Sequence, residues 1–116
     1  MNKEEIFNNF LCNIPQLTAF YDHEKEILQS EEMTVYLFFA YVIEPLFEQA
    51  VCNNDKKILN QLFDEIECYI VNNPNNCIDV IYSSLFEDFE DVFLAGKVDC
   101  YMKLETRKLW KKYCEY

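Results

Sequence analysis

Glycine, proline and histidine are scarce: one Gly, three Pro and one His stand among 116 residues. A fold of many strands needs a turn about every 8 to 12 residues, and this chain lacks the turn formers for it. One glycine serves neither a P-loop nor a G-x-G-x-x-G dinucleotide motif. One histidine cannot supply the two Glu-x-x-His pairs of a di-metal helical bundle. Basic residues are few as well, 10 against 21 acids, for a net charge of −11. Such a chain repels nucleic acid phosphates and anionic membrane surfaces and is drawn to basic partners. No Cys pair has C-x-x-C spacing, so the paired ligands of a zinc site are missing. The segments "DEIECYIVNNPN" and "EDFEDVFLAGKV" fail the EF-hand pattern. No metal and no cofactor is therefore expected. The longest apolar run, "VYLFFAYVI" at 35–43, has nine residues, short for a membrane span.

What is present fits one helical domain over 1–116. Hydrophobic residues make up 51% and aromatics 16%, enough for a real core. The early acids of "MNKEEIFNNF" and its lack of a long apolar stretch argue against a signal peptide. The expected location is the cytoplasm, where the six cysteines stay reduced, many as small core residues. Their even number also permits a disulfide framework.

The chain divides into helical arcs separated by Asn, Pro and Gly breaks. Asn2 can cap a helix over 2–14, with Glu4 and Glu5 at its positive start, and Pro15 interrupts it. Residues 16–28 read as one or two helical turns and a loop. Ser30 is a candidate N-cap for the apolar segment to Ile43, which belongs in the centre of the domain. Pro45 requires a kink or a new helix. After the turn "NND" at 53–55, Leu59, Leu62, Phe63, Ile66, Tyr69 and Ile70 share an arc of about 120° at 100° per residue. "NNPNN" stops that helix. A helix over 77–93, a break at "LAGKVD" and a last helix over 101–116 complete about five helices. They are expected to form an antiparallel bundle or a short HEAT-like stack of helical hairpins.

The stretch "FEDFEDVF" at 86–93 holds four acids among three phenylalanines. On a 100° step the phenylalanines fall on the core side, and Glu87, Asp88, Glu90 and Asp91 fall on the outer side. Like charges at i,i+3 and i,i+4 cost a helix a few tenths of a kcal/mol each, and no Lys in the stretch relieves them. The bland reading is a solvated face. The sharper one is a surface for a basic protein, extended by Asp64 and Glu65. Other candidates have ordinary readings. His23 in "DHEKE" fits an exposed polar residue better than the base of a Cys–His pair. Glu67 fits a boundary carboxylate bonded to a backbone amide or a lysine. Trp110, in a basic segment (residues 103–116 are net +3, the remainder net −14), fits the core edge better than an RNA-stacking platform.

The segments "IEPLFEQAVCNNDKKILNQLFDEIECYI" (43–70) and "YMKLETRKLWKKY" (101–113) resemble a family of small all-helical bacterial proteins of unknown function. Some members stand beside toxins in the position of immunity proteins. The shared pattern is a mid-helix proline, an N/D turn, and F-x-x-I-E, here Phe63, Ile66 and Glu67. It closes on Tyr101, Met102, Thr106 and Leu109. Where the family often has Gly-Pro before the Thr, this chain has Lys103, Leu104 and Glu105. The resemblance covers about half of the chain. It implies a helical-repeat or bundle fold without enzymatic activity, and neutralisation of a toxin by protein–protein contact. A nuclease-type toxin would suit the acidic surface, since a phosphate-binding cleft attracts acids. The alternative is a cytosolic helical interaction domain with an unrelated partner. If the compartment argument holds, alkylation at lysis without reductant followed by thiol titration of the unfolded protein finds nearly all six thiols; two or more bridges would overturn it.

Overall fold

Asn2 begins the first helix as its side chain predicts: Oδ1 accepts the Glu5 amide at 2.9 Å. The computed structural model describes residues 1–115. Among them are seven helices and no strand, so the all-α expectation holds, with two helices more than expected. Helix α1 (Lys3–Asn13) buries Ile6, Phe7 and Phe10, and a 3₁₀ turn (Pro15–Leu17) leads from it directly into α2 (Thr18–Leu28). Here the expectation of a turn or two and a loop is corrected. Helix α2 is mostly polar and wet, and the one residue it buries is Glu24. It therefore lacks the broad apolar stripe by which a helix is recognised.

Gln29 ends α2 at φ 56°, and Ser30 lies in the turn that follows rather than at a helix start. The cap is Thr34, whose Oγ1 accepts the Leu37 amide at 3.1 Å. Helix α3 (Val35–Cys52) then runs through Pro45 without a break. Proline has no N–H to give, and its ring crowds the carbonyl four residues back. The chain accommodates this by widening over Phe39–Ile43 into a π segment, where the Glu44 amide reaches back five residues to the Phe39 carbonyl. By length and composition α3 could cross a membrane. Its Phe38, Phe39, Val42, Ile43 and Phe47 are instead fully buried in the core.

Asp55 caps α4 (Lys56–Asn72), its Oδ1 accepting the Ile58 amide at 3.1 Å. The arc from Leu59 to Ile70 is buried as the periodicity requires. Asn73 closes the helix by donating to the Tyr69 carbonyl at 2.8 Å. The expected single helix over 77–93 is in fact two. Helix α5 (78–86) ends in a second π segment, Tyr82–Phe86, and residues 87–89 form a turn before α6 (Glu90–Leu94). Gly96, at φ 74°, opens the link to α7 (Leu104–Cys114). That link is held by buried Val98, Tyr101 and Met102, and by Arg107, whose Nε donates to the Met102 carbonyl at 2.8 Å.

The core is aromatic at both ends. Phe7 stacks on Phe38 at 4.5 Å, and Phe10 meets Phe38 and Phe39 edge-on. At the other end Phe86 and Phe93 meet at 5.1 Å, and Trp110 lies against both. Edge-on and offset contacts of this kind add about 0.5–1.5 kcal/mol per pair beyond burial. Of the cysteines only Cys77 is buried. The other five are exposed and all six are free, so the expectation of several core cysteines is corrected.

Helix α7 has no cap of its own, because Lys103 at the N-cap position carries no acceptor. Glu67 of α4 supplies it from 38 residues upstream. Its Oε2 accepts the Glu105 amide at 2.8 Å, and its Oε1 accepts the Thr106 amide and the Thr106 hydroxyl, each at 2.9 Å. Of the two partners the sequence allows Glu67, the structure selects the backbone amide. Thr106 is 0% exposed, so water cannot replace the acceptor at that residue. Glu67→Ala is expected to cost about 2–3 kcal/mol, the scale of unpairing buried donors, and Glu67→Gln about half as much. Urea denaturation checks both; a cost under about 0.5 kcal/mol for the alanine variant would deny Glu67 this role.

Candidate functional site

Glu87, Asp88, Glu90 and Asp91 are all exposed, while Phe86 and Phe93 are buried and Phe89 is half-buried against Phe47 at 4.8 Å. The split of acids outward and rings inward is therefore as the 100° step places it. The scaffold differs, since the turn at 87–89 divides the acids between two surfaces. Asp88 and Asp91 line a groove of about 460 Å³ with Glu48 and Lys97, walled by Val51, Cys52, Phe89 and Val92. Glu90 faces the other way. It accepts the Tyr113 hydroxyl at 2.7 Å and lines a groove of about 530 Å³ with Tyr82, Leu94, Trp110, Tyr113 and Cys114. The bond to Glu90 holds the Tyr113 proton, pushing that phenol up to about 12, and Glu87 adds to the effect.

Asp64 and Glu65 lead elsewhere. Asp64 pairs with Lys103 at 3.4 Å, and Glu65 accepts the Asn13 side-chain amide at 2.7 Å. Partial burial pushes the Glu65 carboxyl up, the Asn13 bond opposes this, and Asp64 adds to it. Both residues serve contacts between helices in this fold. Although Cys68 is exposed, partial desolvation of its thiol, reinforced by Glu65, Asp64 and Glu67, raises it and disfavours the nucleophilic thiolate.

One acid that sequence reasoning passed over stands against Asp88. Glu44 sits at the junction of the first π segment with the rest of α3 and is 9% exposed. Its Oε2 is buried, and among the described residues no N–H or hydroxyl donates to it. Burial is the main cause that raises its carboxyl to about 9, followed by a bond to the Asp88 carboxyl, the Asp88 charge and the Glu48 charge. Two carboxylates can be joined only by a proton, so Glu44 is neutral at pH 7 and shares its proton toward Asp88. The signal in the sequence was there: "VYLFFAYVIEPLF" places a carboxylate inside an apolar helix, where its burial is expensive unless it is protonated.

Among the described residues no three His, Cys, Asp or Glu side chains group closely enough to hold a metal ion. His23 is exposed on α2. No family model, no curated protein and no solved structure matches the chain.

The raised carboxyl of Glu44 has a definite linkage sign. Its folded value of about 9 lies above its ordinary 4.5. Its contribution to stability is therefore full below about pH 4.5 and is lost as pH rises toward 9. Glu44→Gln removes that loss. The variant is expected to gain stability over the parent at pH 9 while differing little from it at pH 5, read from urea midpoints at the two pH values. An equal offset at both would show that Glu44 does not titrate in this window.

Proposed function

We propose that this chain is a non-catalytic binding protein whose acidic surface takes a basic partner protein, and that its role is that of an immunity protein against a bacterial toxin. The observation that carries the binding reading is the exposure of Glu87, Asp88, Glu90 and Asp91 with no ion pair to Lys or Arg at any of them among the described residues. Acids left unpaired beside one another repel, and a basic surface relieves this on contact. The immunity role rests on the resemblance carried by Phe63, Ile66, Glu67, Tyr101, Met102, Thr106 and Leu109. It gains support from the Glu67–Thr106 contact, which joins the two halves of that pattern. On this reading the helices pair as an antiparallel bundle or short hairpin stack, and the protein works in the cytoplasm, binding neither nucleic acid nor membrane. A nuclease-type toxin is the partner whose charge fits best, because its cleft is built to hold phosphate.

The second reading is a cytosolic interaction domain with an unrelated basic partner. An adjacent gene for a basic toxin domain separates the two. Given that toxin, the variant Glu87→Gln, Asp88→Asn, Glu90→Gln, Asp91→Asn is expected to fold with unchanged or slightly greater stability. Its association in low salt is expected to slow by about tenfold or more, the scale of electrostatic steering, and the difference should shrink as salt is added. If the variant protects cells fully and associates at the parental rate, this face is only solvated.

A further inference from the structure

We propose that the groove lined by Tyr82 of α5, Leu94 of α6 and Trp110 and Tyr113 of α7 is a binding site for a quaternary ammonium head group, with the rings as its walls and Glu90 as its counter-ion. This goes beyond the reading of the chain as a binder of a basic protein, and it shares only Glu90 with the acidic face that reading uses.

Three aromatic rings meet on this surface, each of them half-buried. Tyr82 stands at 76° to Tyr113 with ring centroids 5.3 Å apart, and Trp110 lies nearly parallel to Tyr113 at 5.4 Å. The face of an aromatic ring is negative, and ring planes near a right angle can present two such faces to one cation. These rings are held from behind. Trp110 lies against Phe86 and Phe93 at 5.2 and 5.1 Å, and the Tyr113 hydroxyl is fixed on Glu90 at 2.7 Å. A site already formed loses little to ordering when it binds. Leu94, 65% exposed, supplies apolar surface at the rim, and the groove of about 530 Å³ has room for the head group.

Charge and hydrogen bonding choose the ligand. Glu90 is the one carboxylate among the lining residues, and no Lys or Arg stands among them. Glu87 lies near enough to act on the Tyr113 hydroxyl, so a second negative charge reaches the groove. An anion is repelled here, and a neutral apolar group would cover the carboxylate without compensating it. A metal ion needs a compact set of ligands that the described residues do not form. A guanidinium brings five N–H donors and a primary ammonium three, and three rings with one carboxylate, already bonded to Tyr113, leave most of them unpaired. A quaternary ammonium has no N–H to satisfy. Its charge is spread over methyl groups, which pack on the rings and on Leu94 as apolar surface does, while the ring faces and Glu90 answer the charge.

The test uses the whole chain, whose one tryptophan, Trp110, lines the groove and reports on it by its emission. Tetramethylammonium chloride is the probe, with sodium chloride at equal ionic strength and tert-butanol, a neutral compound of similar size, as comparisons. A saturable change in emission is expected with tetramethylammonium, at an affinity about tenfold above that for tert-butanol. Amide shifts in the isotopically labelled protein are expected at Tyr82, Glu90, Leu94, Trp110 and Tyr113. Glu90→Gln, at an exposed position that does not put the fold at risk, is expected to weaken binding about fivefold. Tyr113→Phe keeps the ring and is expected to retain most of the affinity. Choline against ethanolamine tests a free small molecule, and a blocked trimethyllysine peptide against its unmethylated form tests a protein side chain; preference for the methylated member of at least one pair is expected. A response no larger than that to sodium chloride, or shifts confined to residues outside the groove, would overturn the site. Equal affinity for tert-butanol, binding unchanged by Glu90→Gln, or no preference within either pair would overturn the quaternary ammonium assignment.

Discussion

The last helix of this protein cannot start by itself, and that constraint organises its second half. A helix leaves its first amides without partners, and a lysine at the cap position offers them nothing. Glu67 closes the account by reaching from the middle of α4 to two amides and a hydroxyl of α7. The carboxylate also meets the positive end of the α7 dipole, which favours an acid there. Once α7 is fixed, Leu109 is buried and Trp110 lies on Phe86 and Phe93. Tyr113 comes within reach of Glu90. One long-range cap thus sets the position of the aromatic end of the core and of one wall of a surface groove. The same contact gives the uneven charge a structural meaning. The basic final segment docks on an acidic body through Glu67 and through the Asp64–Lys103 pair, so part of the net −14 faces the +3 within one molecule.

Two π segments are the other departure from regular geometry, and they pack against each other. The first answers Pro45. The second has a different source. Ser83 turns its hydroxyl back to the Asp79 carbonyl at 2.7 Å, a bond that competes with the helix and bends it. The wider turn places Leu85 and Phe86 fully in the core, and the helix ends within three residues. The break at 87–89 follows from that wound-out register. It is what points Asp88 toward α3 and Glu90 toward α7, where an unbroken helix would have kept all four acids on one face.

The sequence made legible those features whose signal is local and periodic. The α4 arc from Leu59 to Ile70, the Asn2 cap, the N/D turn and the inward phenylalanines at 86 and 93 all depend on spacing within one or two turns. The misses share a cause as well. Helix α2 has only a thin apolar stripe, and Ser30 and Thr34 are both residue types that can cap, so only packing decides for Thr34. No periodic count detects a π segment, since one inserted residue shifts the arc by 100° and the apolar run stays apolar. Asp64 and Glu65 extend the 87–91 acids by charge alone, and their contacts within the fold are of another kind. Their real partners, Lys103 and Asn13, lie 39 and 52 residues away, beyond what a pattern can show. Glu44 was missed although it is chemically the most unusual acid in the chain, because its neighbours hid it inside a hydrophobic reading.

Stability alone does not explain why the acids at 87, 88, 90 and 91 stand where they do. Each is exposed, and apart from Glu90, which accepts the Tyr113 hydroxyl, core packing does not call for a carboxylate there, so Gln or Asn would avoid the repulsion. Asp88 is costlier than the others, because it sits against a nearly buried Glu44, whose carboxyl is raised mainly by burial and further by Asp88. Replacing either partner with an amide would relieve both. Glu44 and Asp88 are thus a pair whose contact costs the free fold more as pH rises. The π segment belongs to the same logic. It places Glu44 at the junction where the widened turn meets the proline, beside the turn that delivers Asp88. The irregular backbone and the raised carboxyl then meet at one place, a helix widened ahead of its proline with a buried acid at the junction.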